Sequence, residues 1–266
     1  MITYSEYKPA EELSQLIFCY WIFEYNPKPN ESGKAEELRH NVLPDGCVSL
    51  LFQNSKETGS RRFEAAFLGP TTAIYKTVVP AGNITIGIRF YPGVVDCFFD
   101  IDCSKLTNTI TDAIPYLKDF DYNSVLQYLK FGLNDFSFLD NFFLKMIKNL
   151  RLEPDGIVKR AIDLIIDKEG IIRIHELARE LLISERQLER KFKRRTGITP
   201  KQFARIRRVR TSVINMLQHD KDFNDTVFDR GYFDQSHFIK DFSLLTGTSP
   251  SLLMKYLSQI THHDVK

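Results

Sequence analysis

The second half of the chain contains one short pattern twice, at an offset of 50 residues, and this repeat constrains the fold more than any other feature. In both copies a phenylalanine stands four residues before Thr-Gly and eight before proline: Phe192, Thr196, Gly197 and Pro200, then Phe242, Thr246, Gly247 and Pro250. Each copy predicts a helix that ends at the glycine and a second helix whose first turn holds the proline. The chain must therefore build one local structure twice.

A short amphipathic helix is predicted before each copy, at residues 174–182 and 222–230. Ser184 and Asp234 are the predicted N-caps of the helices that follow, because short polar side chains accept hydrogen bonds from free backbone N–H groups. Two short helices joined by a tight turn form a helix-turn-helix unit, whose second helix enters the major groove of DNA. A helical hairpin that contacts another protein is the alternative.

The distribution of charge favours DNA over that alternative. The 266 residues include 36 Lys+Arg and 34 Asp+Glu, which gives a net charge of +2. Residues 1–153 hold 15 basic and 19 acidic side chains, whereas residues 171–210 hold 13 basic and 4 acidic ones. A local excess of this size attracts polyanions, because neutralised phosphates release their condensed counterions. Without the repeat, the same charge would indicate only a solvated basic face.

One helix is predicted to connect the two units, at Pro200–His219, from apolar residues spaced three or four apart. At about 1.5 Å per residue this helix spans roughly 30 Å, close to the ~34 Å of one DNA turn. Recognition helices at the two ends of such a rod can enter successive major grooves. Double-stranded DNA is the predicted partner, since the deep major groove of RNA excludes helices.

Candidate DNA contacts lie on the outward faces of the two recognition helices. Arg186, Glu189 and Arg190 are predicted to contact bases, since Arg pairs with guanine and Glu accepts from the cytosine amino group. The other outward residues are Gln187, Lys193, Arg194, Gln235, Ser236, His237, Ile239 and Lys240, of which all but Ile239 are candidate contacts. Phosphate contacts are predicted for Lys201, Arg205, Arg207 and Arg208 on the connecting helix. The alternative for each cation is a surface ion pair.

The first half predicts a β-rich domain. Runs of β-type residues at 47–52, 65–68, 74–79 and 84–91 are separated by Gly and Pro turns, which indicates a small barrel or sandwich. We predict an α+β protein with a β-rich sensor domain at 1–120, a helical linker at 121–153 and a DNA-binding domain at 154–260. Within the last, the first unit occupies 171–197, the connecting helix 199–219 and the second unit 222–247.

The first half also contains candidates for a pocket. Four polar or aromatic side chains are candidates to bind a small-molecule effector: Trp21, His40, Arg89 and Tyr91. Arg89 would suit an anionic ligand, and its alternative is a structural ion pair with Asp45 or Asp96. A cavity behind these residues would favour a ligand sensor, whereas a filled interior would favour a domain that contacts other proteins.

An enzyme is the competing class of function. A metal enzyme needs clustered His and carboxylate ligands, but the first half has a single histidine, His40, and the four cysteines form no C-x-x-C pair. Cys47 follows a turn and is a candidate nucleophile, with a buried structural cysteine as its alternative. We therefore predict no catalytic residues, no metal and no cofactor.

The helix-turn-helix residues, together with residues 231–242 (GYFDQSHFIKDF), resemble the DNA-binding domain of AraC-type transcriptional regulators. The resemblance covers residues 155–256 and implies that the first recognition helix enters one major groove and the second enters the next. Two positions depart from the family pattern. Leu182 stands where the family usually has Gly in its turn, and Val227 stands where a small Ala is usual.

Residues 42–47, 67–70 and 87–93 resemble a cupin-like sensor domain that precedes AraC-type domains. This resemblance implies a homodimer, with residues 136–150 as the interface helix; the alternative for that helix is packing against its own domain. It also implies RNA polymerase as a partner of a bacterial protein. No apolar run is long enough to span a bilayer, so we predict a cytoplasmic protein with no membrane partner.

Overall fold

The computed structural model describes residues 1–28, 36–55, 62–118, 120–122, 124–125, 127, 135–148, 154–219 and 235–263. A β-rich N-terminal half is followed by a helical C-terminal half, which confirms the predicted α+β organisation. The predicted helix at 222–230 and the predicted N-cap Asp234 lie outside the described residues, as does Val227.

The strands of the described chain form two sheets. They are β1 (Ile2–Tyr7), β2 (Ile17–Tyr25), β3 (Leu38–Val42), β4 (Ser49–Ser55), β5 (Arg62–Leu68), β6 (Tyr75–Val79), β7 (Asn83–Phe90), β8 (Ile110–Asp112) and β9 (Ile260–His263). The larger sheet has the order β8-β5-β4-β7-β2-β1-β9, and β3 pairs with β6 in the smaller one. Neighbouring strands of the described residues pair antiparallel, except for β1 with β9, which are parallel.

Four of these strands, β4 to β7, confirm the runs predicted from the sequence. The sequence interpretation missed β2, although its nine residues, IFCYWIFEY, are almost all aromatic or β-branched, which is typical of a buried strand. Tyr20 from β2, Phe52 from β4, Phe67 from β5 and Phe90 from β7 are fully buried and form the centre of the N-terminal core.

The helices are α1 (Val95–Phe98), α2 (Ser137–Ile147), α3 (Gly156–Asp167), α4 (Ile174–Glu180), α5 (Glu185–Thr196), α6 (Pro200–His219), α7 (Gln235–Thr246) and α8 (Pro250–Leu257). Helix α2 belongs to the segment proposed as a dimer interface. Its Leu139 and Phe143 are buried, and the Phe143 ring packs 5.6 Å from that of Phe90. Asp140 accepts a hydrogen bond from the Tyr20 hydroxyl at 2.8 Å. The apolar side of α2 therefore packs against its own domain.

The two halves of the chain are in close contact. Gly46, with φ of +77°, approaches α6 so closely that an added Cβ would lie 2.5 Å from the Phe203 ring. Arg195 of α5 forms an ion pair with Asp96 of α1, with 3.0 Å between Nη1 and Oδ2. Strand β9 follows α8 and pairs in parallel with β1, a contact that the predicted domain limit at residue 260 did not anticipate. The C-terminal residues thus extend the N-terminal sheet.

We expect Gly46→Ala to lower the free energy of unfolding by about 2 kcal/mol or more, because alanine resists a positive φ and its Cβ would collide with Phe203. Urea unfolding monitored by circular dichroism measures this loss. Gly156→Ala is the matched control, since its added Cβ meets nothing within 4 Å. An equal effect in the two variants would contradict the proposed contact between Gly46 and the connecting helix.

Candidate nucleic-acid interface

Helix α5 is the first predicted recognition helix, and local interactions fix both of its ends. Ser184 is the N-cap, as predicted, and forms a capping box in which its hydroxyl accepts from the Gln187 backbone while the Gln187 side chain accepts from the Ser184 backbone. The helix ends at Gly197, whose φ of +83° is the left-handed conformation predicted for this glycine. Leu188 and Phe192 are fully buried, which confirms the predicted inward face.

The outward face of α5 carries the predicted DNA contacts. Six candidate side chains of this helix are exposed: Arg186, Gln187, Glu189, Arg190, Lys193 and Arg194. Five of them, all except Arg194, line an open hollow together with Ser184. Because the Gln187 oxygen accepts hydrogen bonds from the Ser184 N–H and hydroxyl at 3.1 Å, only its amino group remains directed to solvent. This face presents four cations and one carboxylate beside each other.

Two further cations of α5 face the protein instead. Lys191 forms an ion pair with Asp155 at 3.0 Å, and Asp155 also caps α3. Arg195 is only 5% exposed; it pairs with Asp96 and donates from Nη2 to the Cys97 sulfur at 3.0 Å. Burial raises the pKa of Asp96 above its usual value, against the opposing effect of the Arg195 guanidinium. The sequence interpretation did not identify these partners, which lie far from α5 along the chain.

Helix α7 is the second predicted recognition helix. Phe238 and Phe242 are fully buried on its inner side, as the repeat predicted. The predicted contacts Gln235, Ser236, His237 and Lys240 are exposed. Ile239 is 40% exposed on the same helix. Helix α7 therefore presents one cation where α5 presents four.

The connecting helix α6 confirms the predicted span of Pro200–His219. Of its four predicted phosphate contacts, Lys201 is exposed, whereas the three arginines are partly buried. Arg205 pairs with Asp241 of α7 at 3.1 Å, and Arg208 donates from Nε to the Gly170 carbonyl at 3.3 Å. Arg207 lies near Asp45 and Cys47, and burial lowers the pKa of its guanidinium. Their phosphate contacts stay predictions, but Arg205 and Arg208 also make contacts within the protein.

The four candidate pocket residues of the N-terminal half all contact other groups of the protein. Arg89 forms ion pairs with Glu6 at 2.7 Å and with Asp45 at 2.9 Å, the second of which was the predicted structural alternative. The backbone of Gly87 leaves no room for a Cβ beneath the Trp21 ring. These contacts place Arg89 and Trp21 in the framework of the sheet.

Two of the candidate pocket residues contact the C-terminal half. His40 Nδ1 lies 2.5 Å from the Tyr256 hydroxyl of α8, and burial lowers the pKa of His40 to about 4. Tyr91 donates a hydrogen bond to Asp163 of α3. These side chains therefore lie at the contact between the two halves.

Aromatic side chains pack against each other in the interior of the described part of the N-terminal half. Phe52 stacks on Phe120 with 4.9 Å between ring centroids, and Phe67 packs edge to face on Phe99 at 5.1 Å.

Between the two halves, a crevice of about 10 Å³ is bounded by Leu43 and by residues of α6 and α7. A space of this size holds about one water molecule. The contact is therefore closely packed.

Two observations concern the enzymatic alternative. Cys47, the candidate nucleophile, is buried, and burial raises the pKa of its thiol well above the usual value. Within the described ranges, no three His, Cys, Asp or Glu residues are grouped in a way that would hold a metal ion. None of the described helices is long and apolar enough to cross a membrane.

Leu182 occupies the turn between α4 and α5 with φ of +56°, the left-handed conformation that favours glycine. Its side chain is 92% exposed and so gains little from packing. This is the position at which the AraC-type domains that the sequence resembles usually have glycine. The turn keeps its conformation despite the cost of placing a branched residue there.

Two family models match the chain. Residues 5–112 match the family described as Domain of unknown function (DUF6597), and residues 177–256 match the family described as Helix-turn-helix domain. The second match includes α5, the connecting helix and α7. No curated protein matches the chain.

Several solved structures are similar to the chain. ToxT from Vibrio cholerae is similar over 89% of this chain and 98% of its own, with 13% sequence identity and a TM-score of 0.50. The C-terminal domain of AraT, a response regulator from Geobacillus stearothermophilus, covers 38% of this chain and 86% of its own, with 22% identity and a TM-score of 0.36. A DNA-binding transcriptional dual regulator from Escherichia coli K-12 covers 41% and 96%, with 22% identity and a TM-score of 0.35. The similarity to ToxT concerns the fold.

We expect Leu182→Gly to raise the free energy of unfolding by about 0.5–1 kcal/mol. The backbone strain that glycine relieves at this left-handed position is larger than the conformational entropy that it adds to the unfolded chain. Thermal and urea unfolding of the full chain measure the change. Leu182→Ala is the control, because alanine keeps the strained φ and removes only an exposed side chain. If the alanine variant gained as much stability as the glycine variant, backbone strain would not be the cause.

Proposed function

We propose that this chain, a DNA-binding transcriptional regulator with an AraC-type helix-turn-helix domain, reads two successive major grooves with α5 and α7. The observation that carries the proposal is the division of α5 into two faces. Arg186, Arg190, Lys193 and Arg194 are exposed on one side, while Lys191 and Arg195 pair with carboxylates of the protein on the other. The outward cations are the ones that can neutralise phosphates and contact base edges.

The two units are proposed to contribute unequally to DNA binding. Helix α5 presents four exposed cations and α7 presents Lys240, so most of the salt dependence should arise at the first unit. Arg205 and Arg208 of the connecting helix already contact Asp241 and Gly170. The affinity should therefore depend on α5, and the choice of site on both helices.

The N-terminal half is proposed to act on DNA binding through the C-terminal end of α5. Arg195 is held by Asp96, and the Thr107 hydroxyl donates to the Gly197 carbonyl at 2.7 Å. An added Cβ at Gly197 would lie 2.6 Å from the Cys103 carbonyl oxygen. The N-terminal residues thus enclose one end of the recognition helix and leave its other end to DNA.

The signal that enters through the N-terminal half is a second question, for which we propose two candidates. A small-molecule effector is one, and a protein partner, such as a second copy of this chain or RNA polymerase, is the other. The aromatic packing of the sheet interior favours the protein partner. Because the proposed target is DNA, we place the activity in the cytoplasm. The proposal includes no catalytic step.

We expect Arg190→Ala to weaken specific DNA binding by roughly 1–3 kcal/mol and to relax selectivity at one base pair. Genome-wide mapping of bound sites would supply the operator, and fluorescence anisotropy would give the Kd on it and on single-base variants. Lys145→Ala on α2 is the control: it removes an exposed cation of the N-terminal half and should leave the Kd unchanged. Equal binding of all sequences by Arg190→Ala and by the parent protein would reject the contact.

We expect Asp96→Asn to weaken DNA binding about tenfold, because Arg195 loses its counter-charge and the end of α5 is no longer fixed. Thr107→Val should act in the same direction with less loss of stability, since it removes a single hydrogen bond. Both Kd values are measured at a temperature at which circular dichroism shows each variant folded. Glu12→Gln, an exposed change in the same half, is the control. If both variants are folded and bind DNA as the parent does, the N-terminal half does not position α5.

A further inference from the structure

Helices α5 and α7 place equivalent residues at equivalent positions. The buried residues Leu188, Phe192 and Thr196 of α5 correspond at the offset of 50 to Phe238, Phe242 and Thr246 of α7, and all six are buried in the structure. Both helices end with the same Thr hydroxyl contacts to the backbone, four residues before and two residues after the threonine.

The structural repeat fixes which outward residues correspond to each other. Glu189, one of the predicted base contacts, corresponds to Ile239. Each follows directly after the buried residue that anchors its helix. These two side chains therefore meet the groove from the same position on their helices.

Ile239 is an apolar side chain on a polar face. It is 40% exposed, and Gln235, Ser236 and Lys240, its neighbours on that side of α7, are exposed as well. A single exposed apolar residue is common on protein surfaces, so exposure alone would indicate nothing. The position of Ile239 is informative, because this isoleucine stands where the first unit has a candidate base contact. β-Branched residues are also poorer helix formers than Lys or Glu, so helix propensity does not explain the choice.

The bases of the major groove offer different chemistry to the two side chains. Thymine presents a 5-methyl group, which packs against apolar side chains, whereas cytosine presents an amino donor, which a carboxylate accepts. We propose that Ile239 is a specificity-determining residue that packs against a thymine methyl group in the second half-site, while Glu189 accepts from a cytosine amino group in the first. The inference rests on the proposed function, since it requires α7 to lie in a major groove.

Deoxyuridine in place of thymine tests the contact, because it removes the methyl group and leaves base pairing intact. The full chain first selects its operator from a random DNA library, and each thymine of the second half-site is then replaced in turn. At one thymine we expect the Kd of the parent protein to rise about fourfold, the equivalent of losing one buried methyl group. In Ile239→Ala the thymine and deoxyuridine operators should bind equally.

Two variants sharpen this test. Leu244→Ala removes another apolar side chain of α7, one that is 58% exposed, and should keep the fourfold ratio between thymine and deoxyuridine. Ile239→Glu should change the preferred base at the same position from thymine to cytosine, because the new carboxylate would accept from the cytosine amino group as Glu189 is proposed to do in the first half-site.

The outcomes separate this inference from the proposed function. If the parent protein selects no DNA sequence, the proposed function fails and the inference fails with it. If the protein selects an operator but no thymine responds to loss of its methyl group, or if the response persists in Ile239→Ala, only the role of Ile239 is overturned. Retention of the thymine preference by Ile239→Glu would overturn it too.

Discussion

The buried ion pair between Arg195 and Asp96 is the interaction on which the arrangement of the molecule depends. It joins the recognition helix of the first unit to a short helix of the N-terminal half, at a position where the arginine is 5% exposed. A buried pair of this kind gains little net stability over an apolar contact, because both charges lose their hydration. Removing either partner is costly, however, since the remaining charge stays buried. The pair therefore fixes one relative position of the two halves.

Ion pairs within the protein also lower the positive charge that α5 presents to solvent. Lys191 and Arg195 are directed to Asp155 and Asp96, so the basic excess counted in the sequence is larger than the charge available to DNA. Arg205 of the connecting helix is partly neutralised by Asp241 in the same way. The exposed cations of α5 lie along its outward face, from Arg186 to Arg194. The proposed DNA contact requires such a basic excess confined to one face, in contrast to a generally basic surface.

Local sequence predicted the helix-turn-helix elements well, because their determinants lie within a few residues of each other. Ser184 caps α5, Gly197 ends it in the left-handed conformation, and Leu188 and Phe192 form its buried face. The strands between Gly and Pro turns were found for the same reason. Strand β9 was missed, since a four-residue strand becomes stable only through its partner β1 at the other end of the chain. The contacts of Arg89, Tyr91 and His40 were not predictable for the same reason, because their partners lie far away along the chain.

The sequence by itself determined that two similar helical units follow a β-rich half, and which residues of α5 face outward. Helical periodicity and capping are local, so they can be read in order along the chain. Only the tertiary structure decided which cations are paired within the protein, and that His40 and Tyr91 join the two halves. Those outcomes depend on contacts between residues far apart in sequence, and periodicity carries no information about such contacts.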